Sequence, residues 1–309
     1  MRLSIGPVLF DWGKKGFQDF YKRMAFDTPA DILYIGEVVC SKRFNLSPDE
    51  MGKLAEELKA SGKEIVFSTM GLVMSEAELD DMRRIVAIAA DLGLKVEAND
   101  MAAYSVLDGA PSVAGPHVTT YNPETMDFIA SVGSQRVVFP VELCFDDVRG
   151  IISGATQKPE CELFAYGKLP LTFSARCYTS RAFNLPKSNC QYKCGEYPDG
   201  MVMRTQEAKP FLTINGIQTM SDRLFNVIEQ ADQLADGGID IVRLSPQSQH
   251  MGEVAQVWRD RLDGKLGGAE ALARLTELNG GQAFCNGYFL GRAGLDFVDA
   301  AMLQAEQLA

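Results

Sequence analysis

The sequence predicts an α/β fold, a (β/α)8 barrel, and three observations lead to it. Short apolar runs rich in Val, Ile, Leu and Phe recur along the first two thirds of the 309 residues. Longer amphipathic segments with recognisable start and stop residues separate them. With one further run near residue 240, eight strand candidates stand in line. Alternation on that scale points to a parallel sheet closed into a TIM-like barrel. An open, doubly wound sheet is the competing arrangement.

"RLSIGPVL" (Arg2 to Leu9) and "DILYIG" (Asp31 to Gly36) open the series as strands. A helix follows in "SPDEMGKLAEELKASG", with Ser47 as N-cap, Pro48 at the first helical position, Glu50 completing a capping box and Gly62 as the stop. The strand "EIVFST" leads into a helix that begins at Ser75, carries acids in its first turn and ends at Gly93. "KVEAND", "HVTTY", "RVVFPV" and "CELFAYG" continue the strands, with "PETMDFIASVG" and "FDDVRGIIS" as helices between them. Further on, "MVMRT" and "FLTING" read as short strands and "SDRLFNVIEQADQLADGG" as a helix. "IDIVRLS" (Ile239 to Ser245) is the eighth strand and "HMGEVAQVWRDRLDG" the helix after it. No low-complexity segment, fixed-period repeat or linker divides the chain, so residues 1–309 read as one domain.

Composition excludes several function classes. At 46% hydrophobic and 23% charged residues the chain is globular. A net charge of -11 argues against general nucleic-acid binding, which needs a clustered excess of Lys and Arg. No apolar run approaches the roughly 20 residues of a membrane span. The opening "MRLSIGPVLFDWGKKGF" is closed by Asp11 and Trp12 and reads as a first strand, not a signal peptide. The expected location is cytoplasmic, where thiols stay reduced and stable disulfides are rare. GxSxG, Walker, GxGxxG and HExxH motifs are absent. The two histidines, His117 and His250, are expected as a core residue and a helix cap.

Chemistry concentrates in "FSARCYTSRAFNLPKSNCQYKCGEYPDG", Phe173 to Gly200, a polar stretch without hydrophobic periodicity. It holds Cys177, Cys190 and Cys194 at spacing C-x12-C-x3-C, three of the chain's seven cysteines. In a barrel this stretch is an insertion, about residues 168–210, late in the chain between the seventh and eighth strands. It then lies on the C-terminal face, where barrel enzymes build their sites. "GEVVCSKR" follows the second strand and brings Cys40 to the same face. Four thiolates suit a [4Fe–4S] cube, one per iron, and equally suit tetrahedral zinc; spacing leaves both open. Ser174, Ser180, Asn184 and Asn189 are candidate hydrogen-bond donors around the sulfurs. Cys144, Cys161 and Cys285 lie in or beside apolar runs and are expected as buried, structural thiols. Glu37, Asp100 and Glu142 stand at strand ends, as acids, bases, substrate partners or plain solvated charges at the barrel mouth.

"ELFAYGKLPLTFSARC" (Glu162 to Cys177) resembles the signature of the collagenase-like peptidase family, matched at Glu162, Phe164, Gly167 and Cys177. Pro170 stands where that signature has its first cysteine, which speaks against peptidase activity. "LSIGPVLFDW", "YIGEVVCSKR" and the closing "FCNGYFLGRAG" extend the likeness toward the branch of the family in anaerobic ubiquinone biosynthesis. The resemblance implies a barrel-like fold and a [4Fe–4S] cluster on Cys40, Cys177, Cys190 and Cys194. It further implies a heterodimer with a UbiU-like sister subunit, assisted by a UbiT-like lipid-binding accessory protein. The implied reaction is O2-independent hydroxylation of the aromatic ring of ubiquinone precursors, with prephenate as oxygen donor. A non-catalytic docking subunit stabilised by its cluster, or a peptidase-family hydrolase, is the alternative.

Overall fold

Apolar strands buried on both faces need helices on the outside and closure at the edges, and this chain supplies both. The structure, a computed structural model, describes residues 1–43 and 45–307. Strands β1 (Arg2–Ile5), β2 (Ile32–Ile35), β3 (Glu64–Ser68), β4 (Lys95–Ala98), β5 (Ser112–Ala114), β6 (Ser134–Val138) and β7 (Glu160–Phe173) pair in chain order, each parallel to the next. After β8 (Met201–Arg204), β9 (Pro210–Asn215) and β10 (Gln218–Asn226), β11 (Ile241–Leu244) closes the ring by pairing parallel with both β7 and β1. A short β12 (Phe284–Cys285) pairs with β10. The (β/α)8 barrel is thus what the residues form.

Helices α1 (Gly13–Phe26), α2 (Pro48–Lys59), α3 (Glu76–Leu92), α4 (Ala102–Leu107), α5 (Pro123–Ser131) and α6 (Phe145–Gly154) follow β1 to β6 in turn. The stretch from 174 to 240, between β7 and β11, carries α7 (Tyr178–Ala182), β8 to β10 and α8 (Ala231–Asp236). Helices α9 (Met251–Leu262), α10 (Gly268–Leu278) and α11 (Ala300–Gln307) complete the chain. Ser47 and Glu50 form the expected capping box of α2, and Gly93 ends α3 at φ +66°, a conformation that favours glycine.

Two expectations fail for identifiable reasons. "HVTTY" is not a strand: β5 is the earlier Ser112–Ala114, and His117 lies in a 3-10 turn over Pro116–Val118. Gly115 and Pro116 end the strand, because proline has no N–H for the ladder. Residues 221–226 of "SDRLFNVIEQADQLADGG" are strand β10, with helix only at α8. There the distal half of β7 leaves the barrel and pairs antiparallel with β10, Leu224 opposite Lys168 and Phe225 opposite Gly167. Tertiary pairing overrides local pattern. Helices α1 and α10 were not expected; neither has a side-chain cap to mark its start.

Period-two alternation sorts the strand residues. Ile32, Tyr34, Val66, Val113, Val138 and Ile241 pack together inside the ring, while Leu33, Ile35, Ile65, Phe67 and Val242 face the helices. The same inward register carries charge. Arg243 reaches Glu97 Oε1 and Glu162 Oε1, each at 2.7 Å, over the Tyr34 ring. Arg136 donates to the Tyr34 hydroxyl at 2.9 Å and pairs with Glu64 and Glu160, each at 2.9 Å. Gly167 marks the point where β7 departs. Its φ is +117° and a Cβ there would stand 2.7 Å from Ser245 Cβ, so only glycine fits.

Candidate functional site

Loops after β2 and β7 leave the C-terminal face of the barrel and meet over it. Cys40, Cys177, Cys190 and Cys194 line one small pocket, together with Lys42, Arg43, Lys187 and Lys193. Each thiol is held by its own local device. Glu37 is buried after β2, and its Oε1 accepts from the backbone N–H of Val39 (2.8 Å) and Cys40 (2.9 Å), folding the turn that presents Cys40. Cys177 is the N-cap of α7, its Sγ accepting from the Ser180 N–H at 3.4 Å. Cys190 follows the 3-10 turn Lys187–Asn189, and Gln191 and Tyr192 take positive φ before the turn that carries Cys194. Lys42 ties the two loops by donating to the carbonyls of Lys187 (2.9 Å) and Ser188 (3.0 Å).

Arg43 is the buried cation of the site. It donates to Asn215 Oδ1 at 2.8 Å and to the Leu9 carbonyl at 2.9 Å, and stands 3.5 Å from Glu37. Its Nε is buried with no hydrogen-bond partner. Burial raises the Cys40 thiol and pushes Cys194 up to about 11, with Arg43 opposing both shifts. Any metal bound here therefore displaces protons.

Tetrahedral zinc at 2.3 Å from each sulfur needs sulfurs about 3.8 Å apart. No group of three His, Cys, Asp or Glu side chains among the described residues is arranged to hold a single ion. A four-iron cluster takes one thiolate per iron and spreads its sulfurs around a cube. The donor set fits that demand: four thiols, no carboxylate in the lining, and cations facing the negative charge of a thiolate-bound centre.

The other candidates have smaller roles. Asp100 accepts from the Val73 and Ala102 N–H groups, and Glu142 accepts from the exposed Tyr121 hydroxyl, so Glu37 alone of the three carboxylates reaches the thiols. The hydroxyls of Ser174 and Ser180 bond to backbone groups and not to sulfur. Asn184 takes φ 55° beyond α7, and Asn189 ends the turn before Cys190. Cys161 and Cys285 are buried as expected, but Cys144 is half-buried and caps α6. His250 precedes α9 without making a side-chain cap, its Nδ1 lying 3.5 Å from Glu253.

The model of peptidase family U32 matches residues 21–295. The chain belongs to this family. A collagenase of Porphyromonas gingivalis (strain ATCC BAA-308 / W83) is 23% identical to the U32 chain over 296 residues, covering 87% of this chain and 70% of that protein. Among solved structures, the U32 peptidase Mk0906 is similar at a TM-score of 0.46 and 12% identity, over 80% of this chain and 93% of that one. A thiamine phosphate pyrophosphorylase from Pyrococcus furiosus is similar at 0.45 and 12%, over 86% and 97%.

The U32 chain has a second cavity that sequence reasoning missed, at the barrel mouth. It is lined by Leu9, Val38, Glu97, Asn99, His117, Phe164, Pro170, Arg243 and Ser245, among others. His117 packs edge-on against Phe173, and burial, with Arg243 nearby, pushes its pKa down to about 3. A signal for this cavity was present: Glu97 and Arg243, which line it, are charges at inward positions of short barrel strands.

Proposed function

We propose that this U32 chain is a UbiV-type iron–sulfur subunit. In this reading it works in a heterodimer with a UbiU-like sister, hydroxylating the aromatic ring of ubiquinone precursors without dioxygen and with prephenate as oxygen donor. The observation that supports it most is the convergence of Cys40, Cys177, Cys190 and Cys194 on one cavity. Cys40 is separated from the other three by more than a hundred residues, and the loop near Lys42 is pinned to the loop near Lys187. Adding oxygen to an arene without dioxygen calls for a centre that can move electrons. A bound [4Fe–4S] cluster supplies that electron transfer.

The chain's own residues do the holding and tuning. Glu37 and the Ser180 N–H fix two of the thiol positions, and Arg43 sets a buried positive charge against the site. Four protein thiolates saturate a cube, so the ring binds elsewhere. In the same reading a lipid-binding partner of the UbiT type delivers the polyprenyl substrate. A hydrolase reading draws on the family's name and on the similar collagenase. Against it, Pro170 puts an apolar ring where the family signature has a cysteine.

Metal and sulfide analysis of anaerobically purified protein tests this. About four irons and four sulfides per chain are expected. They should be lost on replacing any of Cys40, Cys177, Cys190 or Cys194 and kept on replacing Cys144. One zinc and no sulfide would overturn the redox assignment.

A further inference from the structure

Tyr166 stands on β7 opposite Leu244, the last residue of β11, and the loop beyond β11 runs through Gln247 to His250 and into α9. Beside them lies a pocket of about 280 Å³, at the small end of ligand pockets. It shares no lining residue with the thiol cavity or the barrel mouth. Leu224, Val254 and Leu278 make part of its wall apolar, and Asp199, from the segment after Cys194, lines it too.

Two side chains of the lining are more than nine-tenths buried and still short of partners. Tyr166 is 3% exposed, and its hydroxyl has no hydrogen-bond partner among the described residues. Gln247 is 8% exposed; its Nε2 donates to the carbonyls of Ser245 (3.3 Å) and Pro246 (2.8 Å), while its Oε1 accepts from none of the described residues. Unlike Arg243 Nη2 and Ser245 Oγ, which are sealed in the interior, these two atoms remain accessible. Buried polar groups left unmatched cost stability unless water or a ligand meets them.

Charge decides what kind of ligand does so. Asp199 is the carboxylate of the lining, and no Lys or Arg lines the pocket. Asp199 accepts from the Ser248 N–H at 2.7 Å and from the Ser248 hydroxyl, and no cation among the described residues pairs with it. Lys168 spends its Nζ on the Asp199 carbonyl oxygen and the Thr213 hydroxyl. His250 has its own counter-charge in Glu253, 3.5 Å away. Burial, with Asp199 nearby, raises the Tyr166 pKa, so the phenol stays neutral. An incoming carboxylate would therefore meet a like charge and no cation. An ammonium brings three donors, one each for Asp199, Gln247 Oε1 and the Tyr166 oxygen, together with the charge that Asp199 lacks.

We propose that this pocket binds a small organic ammonium, a primary amine on a compact apolar body, with Asp199, Gln247 and Tyr166 as its polar contacts. The apolar body lies against Leu224, Val254 and Leu278. The site stands whatever the thiols hold.

Ligand-observed NMR titration of the full chain, purified anaerobically with its metal, tests the site with cyclohexylamine, cyclohexanol and cyclohexanecarboxylate at neutral pH. The three share one ring and differ in charge. The amine is expected to bind roughly tenfold or more tighter than the alcohol, and the carboxylate weakest of all. Asp199→Asn should bring the amine to within roughly threefold of the alcohol. Tyr166→Phe removes only an oxygen without a protein partner and should weaken amine binding by roughly three- to tenfold, with metal content unchanged. Tyr166→Phe decides alone where Asp199→Asn disturbs the loop that carries Cys194 and lowers metal content. Absence of amine binding, alcohol or carboxylate bound as tightly as the amine, or amine binding unchanged in Tyr166→Phe overturns the site.

Discussion

The barrel interior and the thiol cavity both gather polar groups, the first fully buried and the second partly exposed, and they are built on opposite plans. Inside the barrel, cations and carboxylates face each other: Arg243 with Glu97 and Glu162, Arg136 with Glu64 and Glu160. In the thiol cavity two of the sulfurs have weak partners, the Ser180 N–H on Cys177 at 3.4 Å and Asp11 for Cys194 at 3.7 Å. Cations crowd the same lining. Polar groups that balance one another serve the fold, and groups that await an outside partner serve a ligand. Arg243 stands at the boundary, two contacts turned to the network and Nη2 left over.

The largest expected effect follows from breaking the balanced region. Glu162→Gln removes the charge that faces Arg243 at 2.7 Å and also lies 3.9 Å from Arg136. Leaving a buried cation short of its partner costs about 3–5 kcal/mol, a large part of a typical domain's stability. Urea denaturation of the metal-free protein checks it. A loss below about 1 kcal/mol would mean that the network is not structural, and the contrast with the thiols would collapse.

Acid should act on the same region. Burial raises the Glu162 pKa, but Arg243 and Arg136 outweigh it, and the carboxyl ends below its ordinary value. Glu64 is likewise lowered, Arg136 overcoming burial. A depressed carboxylate contributes stability that is complete above its unfolded pKa and lost as pH falls through the folded one. The urea midpoint should therefore be flat down to about pH 5 and fall below about pH 4.3. Glu162→Gln should flatten that fall, and an unchanged acid limb in the variant would locate the titrating groups elsewhere.

How much of this was legible in the sequence follows from the range of the interactions. Strand alternation and caps are local, so the barrel and the Ser47–Glu50 box could be read directly. The strand β10 could not, since it depends on the distal half of β7. Three cysteines stood out because their loop is polar, whereas Cys40 joined them only through the barrel's topology. Arg43 and the mouth cavity stayed hidden. Arg43 meets Asn215, and Arg243 meets Glu97, across gaps that no local pattern spans.

The smallest expected change in stability is the sharpest test of the comparison. Cys177 is 9% exposed and caps α7, and serine is among the preferred residues at an N-cap. Cys177→Ser keeps a cap acceptor and nearly the same volume beside Leu9 and Val38. In the metal-free protein it should shift unfolding by less than about 1 kcal/mol. The same variant should lose its iron, because an alcohol replaces a thiolate that one iron requires. A near-silent substitution in the empty protein that removes all bound iron is the behaviour of a ligand and not of a core residue. If instead Cys177→Ser destabilises the metal-free chain as strongly as Glu162→Gln, the thiol region is held together by its own packing, and the opposition between the two regions fails.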